Sequence, residues 1–328
     1  MVMRTIFQKF FYWLFGVFMA LVLALNGGYV APSNETPIDT SKEDAKAVFA
    51  LVADPQISNY MLGRYPIFTA ACEDLKNANC KFDAVLGLGD IAENGLSVEY
   101  QLVYDQLHDI DTRFIMATGN HDIRLRVYEQ STWTFCNFAN TLNGDNSMEK
   151  FWFSERINGY KIIVIGSDKT EFESAYLSDE QLQWVDSEIA AENGKPVFVI
   201  CHQPLKDSHN IEQAWGSSIK TGASIGEQSE ELQAILAKYK NVFLLSGHLH
   251  SGFGPDNYNN IDGIHSINAP SMTIDNKDGT YNDSGLGFIM EVYEDEVIFR
   301  ARDMADGTWV AETTGDPSYD IVLPIENY

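Results

Sequence analysis

From residue 45 onward, short apolar runs alternate with stretches whose apolar positions recur at helical spacing. The runs "AVFALVAD", "FDAVLGLGD", "RFIMATGN", "KIIVIGSD", "PVFVICH" and "VFLLSGH" have strand length and little internal alternation. That is the pattern of strands buried on both faces. Between them, 62–78, 97–109, 179–192 and 229–239 read as amphipathic helices. Ser178 followed by Gln181 is a capping-box signature that sets the start of the third. This alternation predicts an α/β domain with helices packed on largely parallel sheets. From about 259 the pattern changes, and "GFIMEVYEDEVIFRARDM" predicts two strands around a Glu-Asp turn. The C-terminal portion is therefore expected to be β-rich. No repeat, low-complexity block or second linker interrupts 46–328, which reads as one domain.

The first 25 residues break the pattern. Arg4 and Lys9 precede sixteen uncharged positions, 10–25, that are almost wholly apolar. A basic flank before a short apolar run is the layout of a secretory signal. With Ile6 and Phe7 added, the run approaches the length of a membrane span. Residues 1–31 are thus expected to be a signal peptide or an N-terminal membrane anchor, with membrane association through 6–25. The polar stretch 32–45 reads as a flexible linker. Under either reading the rest of the chain is expected to be secreted or held on the outer face of the cell membrane.

Composition narrows the partners. The 328 residues are 45% hydrophobic, ample for a large core, and carry a formal net charge of −25. Such acidity argues against nucleic acid as a partner, because a polyanion would be repelled. There are four cysteines, Cys72, Cys80, Cys136 and Cys201. Cys72 and Cys80 bound a short loop that a disulfide can bridge in an exported chain. Cys201 lies within an apolar run and reads as a buried thiol. Without a C-x-x-C pair, a zinc ribbon is not expected.

The chemistry sits where the strands end. The runs deliver, in order, Asp54, Gly89-Asp90, Gly119-Asn120-His121-Asp122, His202, and Gly247-His248-Leu249-His250. In an open α/β sheet the carboxyl ends of strands form the ligand-binding edge. Four of the seven histidines fall in these few positions, far from a random scatter. Aspartate, asparagine and histidine without thiolates make an oxygen-and-nitrogen set suited to Mn, Fe or Zn. The set is large enough for two divalent ions if one carboxylate bridges. A glycine before Asp90, Asn120 and His248 allows close backbone approach.

"DPQ", "GDIAENG", "GNHD", the strand ending in His202 and "GHLH" together resemble the ordered motifs of calcineurin-like metallophosphoesterases. The likeness runs from about residue 47 to 250. It implies a four-layer α/β/β/α sandwich and a centre of two divalent metal ions. By motif, one ion would be held by Asp54, Gln56, Asp90 and His250. The other would be held by Asp90, Asn120, His202 and His248. His121 would face the substrate. The departure is Gln56, where most relatives have histidine. An amide oxygen is a harder, weaker ligand than imidazole, which favours Mn for that ion; the alternative is that Gln56 only hydrogen-bonds nearby.

Together with the N-terminal segment, which implies export, the resemblance implies a phosphoesterase acting on a small phosphorylated substrate. Hydroxide held on the metals would attack phosphorus in line. Asn120 and His121 would stabilise developing charge, and His121 would protonate the leaving oxygen. Asp122 would either support a histidine of the site or cap the turn. Arg124 reads as solvated. The long polar segment 203–228 is expected to border the site, with His209 and Trp215 as candidate substrate contacts. A second rim, 251–260, offers Phe253 and Tyr258. Phosphomonoester, diester and pyrophosphate stay open as substrates. The rival class is a surface binding protein that keeps the fold without turnover.

Overall fold

Phe49 and Leu51 point one way from the first strand, Val48 and Ala50 the other, and all four are buried. A strand covered on both faces must lie between layers, and this requirement organises the fold. The computed structural model describes residues 36–212 and 222–328. The expected signal or anchor and Trp215 lie outside them. Among the described residues, no helix is long and apolar enough to cross a membrane.

Thirteen strands form two sheets among the described residues. In the first sheet, β1 (Ala47–Val52), β2 (Ala84–Gly87) and β3 (Arg113–Met116) are parallel neighbours, with Leu51 opposite Leu86. The second sheet begins with β4 (Phe153–Ile157) and β5 (Tyr160–Val164), which pair antiparallel. It continues through β6 (Val197–Ile200), β7 (Val242–Ser246) and β9 (Ile264–Asn268), all parallel, and β8 (Tyr258–Ile261) closes its edge. The β-rich C-terminal portion joins the first sheet. There β10 (Leu286–Val292) pairs antiparallel with β1, and β11 (Glu296–Asp303) with β10. β12 (Thr308–Trp309) and β13 (Ile321–Pro324) pair with β11. Parallel pairing is thus concentrated in the strands that carry candidate ligands, and antiparallel strands complete the mixed sheets.

One buried cluster unites the two sheets. Phe49, Leu51, Leu86, Phe288 and Phe299 from the first sheet meet Val164, Phe198 and Phe243 from the second. Burying each such phenylalanine contributes about 1.5–3 kcal/mol. On the other face of the second sheet, Ile163, Val199 and Leu244 pack with Leu182, Val185 and Ile189 of the helix Asp179–Ala190. Leu232 and Leu236 of the helix Ser229–Leu236 join them. The helix Arg64–Lys76 covers the outer face of the first sheet, where its Asp74 binds Arg302 of β11 through two hydrogen bonds.

Two local expectations need correction. Ser178 Oγ accepts the Gln181 amide at 3.3 Å, but the Gln181 side chain does not return to the cap. It bonds Gly166 O at 2.9 Å and Asp168 Oδ2 at 2.7 Å, so only half of the capping box forms. The helix Tyr128–Asn143 adds to the four expected ones; its Thr, Phe, Cys and Asn residues are poor helix formers. Tertiary packing holds it: Phe138 stacks on Tyr100 at 4.9 Å and Phe135 meets the same ring edge-on at 5.7 Å. Gly144, left-handed at φ 68°, is its C-terminal stop. All four cysteines are free thiols, Cys201 among the buried ones.

Candidate metal centre

β1, β2, β3, β6 and β7 each end two to four residues before a candidate ligand. The backbone there is unusual. Asp54 (φ 50°), Gln56 (38°), Asp90 (51°), His248 (73°) and His250 (54°) are all left-handed. Left-handed backbone costs about 1–2 kcal/mol for most residues. The other described non-glycine residues with positive φ are Asn or Asp, which tolerate it, and His209. Asp54 and Asp90 share that tolerance but Gln56 does not, and strain of this kind clusters at functional sites. The glycines explain how the strand ends come so close. A Cβ at Gly119 would strike the Asp90 carboxylate, and one at Gly247 the Asp54 carboxylate.

The five ends converge across the two sheets. Asp54 Oδ1 lies 3.0 Å from His250 Nε2 and 3.7 Å from His202 Nε2. Its Oδ2 accepts the His248 amide at 3.0 Å. Asp90 Oδ2 lies 3.2 Å from His202 Nε2, and Asp90 Oδ1 accepts the His121 amide at 2.8 Å. One donor atom from each of Asp90, His202 and His248 fits within a span of 4.8 Å. Gln56, 2% exposed, turns its Nε2 to Asp90 Oδ2 at 3.0 Å. In this orientation Gln56 hydrogen-bonds its neighbour; rotating the amide by half a turn exchanges its oxygen for its nitrogen.

Hydrogen bonds behind the histidines decide which nitrogen faces inward. His202 Nδ1 bonds the Leu88 carbonyl at 2.9 Å, which leaves Nε2 for the centre. His248 Nε2 meets the Gly222 carbonyl at 3.2 Å, which leaves Nδ1. Burial works against the charge of Asp54, yet His250 and His202 hold its carboxyl below the usual range. Burial likewise opposes ionisation of Asp90, and His202 and His121 bring it well below that range. Against its own burial, His202 is pushed up to about 9 by Asp90 and Asp54. Burial, with His202 nearby, lowers His248 to about 3.

His121 stands at the edge of this group. Its Nε2 is 3.9 Å from Asp90 Oδ2, and its Nδ1 is 2.9 Å from the Glu93 carbonyl oxygen. Burial lowers its pKa, but Asp90 and Glu93 raise it further, so the net shift is upward. Of the two roles open to Asp122, the structure carries the capping one. Its oxygens accept Gly119 N at 2.9 Å, Ala92 N at 3.0 Å, Ile91 N at 3.2 Å and Tyr100 Oη at 2.9 Å. Asp122 therefore ties the loops after β2 and β3 together.

Several rim expectations are overturned. Arg124 is not solvated: it bonds Glu173 Oε1 at 3.1 Å and its Nη2 lies 3.0 Å from His121 Nδ1. His209 is a buried structural histidine between Asp256 O at 2.7 Å and Ser266 Oγ at 2.8 Å. Phe253 is fully buried in the inter-sheet core, edge-on to Phe288. Tyr258 bonds His265 at 3.0 Å and packs on the same core. Glu93, which pairs with Arg64, and Glu173, which holds Asn120, went unread because both act across long sequence separations.

The residues fit divalent ions. Asn120 Oδ1 and His202 Nε2 are buried with no hydrogen-bond partner. Buried polar atoms without a hydrogen bond are costly, and these two belong to the candidate ligand set. The donors are all oxygen or nitrogen, a set suited to Mn, Fe or Zn. A family model for calcineurin-like phosphoesterases matches residues 47–252. The chain is 25% identical over 262 residues to a 3′,5′-cyclic-nucleotide phosphodiesterase of Nostoc sp., covering 79% of this chain and 85% of that protein. It is 28% identical over 186 residues to a probable glycerophosphodiester phosphodiesterase of Arcobacter nitrofigilis, covering 54% of this chain and 59% of the relative. A dimetal phosphatase from Danio rerio superposes with a TM-score of 0.59 at 14% identity, over 86% of this chain and all of that one.

Proposed function

Because this chain belongs to the calcineurin-like phosphoesterases, hydrolases of phosphoester bonds, we propose that it cleaves a small phosphodiester at a binuclear metal centre. The observation that carries this reading is the convergence of five strand ends around Asp54 and Asp90, with Asn120 Oδ1 buried without a hydrogen-bond partner and His202 Nε2 buried against the two carboxylates. Asp54, Gln56, Asp90 and His250 would hold one ion, and Asp90, Asn120, His202 and His248 the other. Bound divalent ions supply positive charge that activates water and neutralises phosphoryl oxygens. Gln56 as a ligand favours Mn. The diester preference rests on the relatives, which are named for cyclic nucleotides and glycerophosphodiesters.

The chain's own residues position and protonate. His121, whose pKa Asp90 and Glu93 shift upward against its burial, is placed to donate a proton to the leaving oxygen. The Glu93 carbonyl behind Nδ1 holds the ring so that Nε2 faces the site. Asp122 keeps the loop of Asn120 and His121 against the loop of Asp90. The basic flank and apolar run at the N-terminus support export of this domain, tested by locating the protein in cell fractions.

The decisive assay compares a chromogenic diester with its monoester, followed by a cyclic nucleotide and a glycerophosphodiester, each with Mn²⁺. Diester turnover that vanishes on chelation and returns with Mn²⁺ is the expected outcome. Preference for the monoester would overturn the substrate class, and inactivity with every metal would overturn the enzyme reading.

A further inference from the structure

Asn120 has two amide ends, and something must decide which one faces the ions. We propose that Glu173 does so and is the positioning residue of the second metal site, the one assigned above to Asp90, Asn120, His202 and His248. The proposal rests on that two-metal reading.

Glu173 lies between β5 and the helix Asp179–Ala190, more than fifty residues from Asn120. Its Oε2 accepts Asn120 Nδ2 at 2.7 Å, and the neighbouring Phe172 carbonyl stands 3.4 Å from the same nitrogen. A carboxylate only accepts, so it selects the NH₂ end of the amide and turns Oδ1 toward the ions. That oxygen is the one left buried without a partner.

The same short segment backs the other ligands of this ion. Gln203, next to His202, donates Nε2 to the Glu173 carbonyl at 2.7 Å. Gly222, whose carbonyl meets His248 Nε2, packs so tightly that a Cβ there would strike Glu173 and Ser174. Among the described residues, no hydrogen bond of the Asp54, Gln56 or His250 side chains reaches residues 172–174. The support is therefore directed at one ion.

Glu173 is also the link to His121. Its Oε1 accepts Arg124 Nη1 at 3.1 Å, and Arg124 Nη2 stands 3.0 Å from His121 Nδ1. Both carboxylate oxygens are thus in use, one on a metal ligand and one on the arginine beside the acid. Glutamine puts an NH₂ in place of one of these oxygens, so one of the two donors would face another donor.

The test is stepwise Mn²⁺ binding to the full chain by calorimetry and electron paramagnetic resonance, in wild type, Glu173→Gln and Glu173→Ala. Wild type is expected to take up two ions and show the spectrum of a coupled manganese pair. In both variants the first ion should bind within about twofold of wild type. The second should weaken by about 10–100-fold, the usual cost of losing a group behind a metal ligand. At matched low Mn²⁺ the variants should show a mononuclear spectrum, and added Mn²⁺ should restore the coupled one together with most of the turnover. The melting temperature of the metal-free protein should stay near wild type. Unchanged binding of both ions would overturn the proposal. So would equal weakening of both ions with a lower melting temperature, because that is loop collapse. Wild type that binds fewer than two ions would instead overturn the two-metal reading and, with it, this one.

Discussion

Asp74 and Asp90 are each 1% exposed, and the molecule compensates their charges in different ways. Asp74 sits in a regular helix and receives Arg302 Nε at 2.9 Å and Nη2 at 2.6 Å. A guanidinium keeps its charge at any working pH and closes the account there. Asp90 sits on left-handed backbone, and its ion pairs among the described residues are all with histidines, as are those of Asp54. Histidine carries charge only while protonated, and the same nitrogen serves as a metal ligand once the proton leaves. The first region is built to stay shut. The second is built so that a cation can replace protons.

Substitutions on the two sides separate these roles. Asp90→Asn should remove both ions and lower hydrolysis on the order of 10⁴-fold, as loss of a group shared by the whole machinery does. Elemental analysis checks the ions, and retention of about two equivalents would make Asp90 an ordinary buried acid like Asp74. His121→Asn should lower kcat by about 10²–10⁴-fold with metal content unchanged. Loss of metal in that variant would make His121 a ligand rather than the acid.

Asp74→Asn should do the reverse. Leaving Arg302 buried without its counter-charge should cost about 3–5 kcal/mol of stability in denaturant titrations. Metal content and kcat per folded molecule should hold at wild-type values; a selective loss of metal would erase the distinction between the regions. The smallest effect is expected for Gln56→His. Imidazole for amide should tighten the first ion about tenfold, or ~1.4 kcal/mol. If Gln56 only hydrogen-bonds Asp90, as its amide orientation shows it doing here, affinity will not change.

The ligand edge was more legible in the sequence than its surroundings, and the reason is local. Asp54, Asp90, Asn120, His202 and His248 each follow a buried run of strand length, so the run and its polar end lie in one short window. Gly119 and Gly247 added a second local mark, since each precedes one candidate ligand and touches another. Glu173 has no such window: its partner Asn120 is 53 residues away, and nothing in "KTEFESAY" foretells the contact. Arg124 and His209 were misread for a related cause. Whether a polar side chain is solvated depends on which loop folds over it, and the loops that do so come from other elements. Phe253 failed because the chain after His250 turns back into the inter-sheet core instead of lining the mouth. The helix Tyr128–Asn143 shows the same limit for secondary structure, where the Tyr100 ring outweighs poor intrinsic propensity.

The central claim is that the five strand ends form a two-ion centre bridged by Asp90. Anomalous diffraction from crystals of the protein loaded with Mn²⁺ tests it most directly. The account predicts two peaks, about 3.5–4 Å apart, with the Asp90 carboxylate between them and Asn120 Oδ1 and His202 Nε2 on the second. A single peak, or two that do not share Asp90, would contradict it.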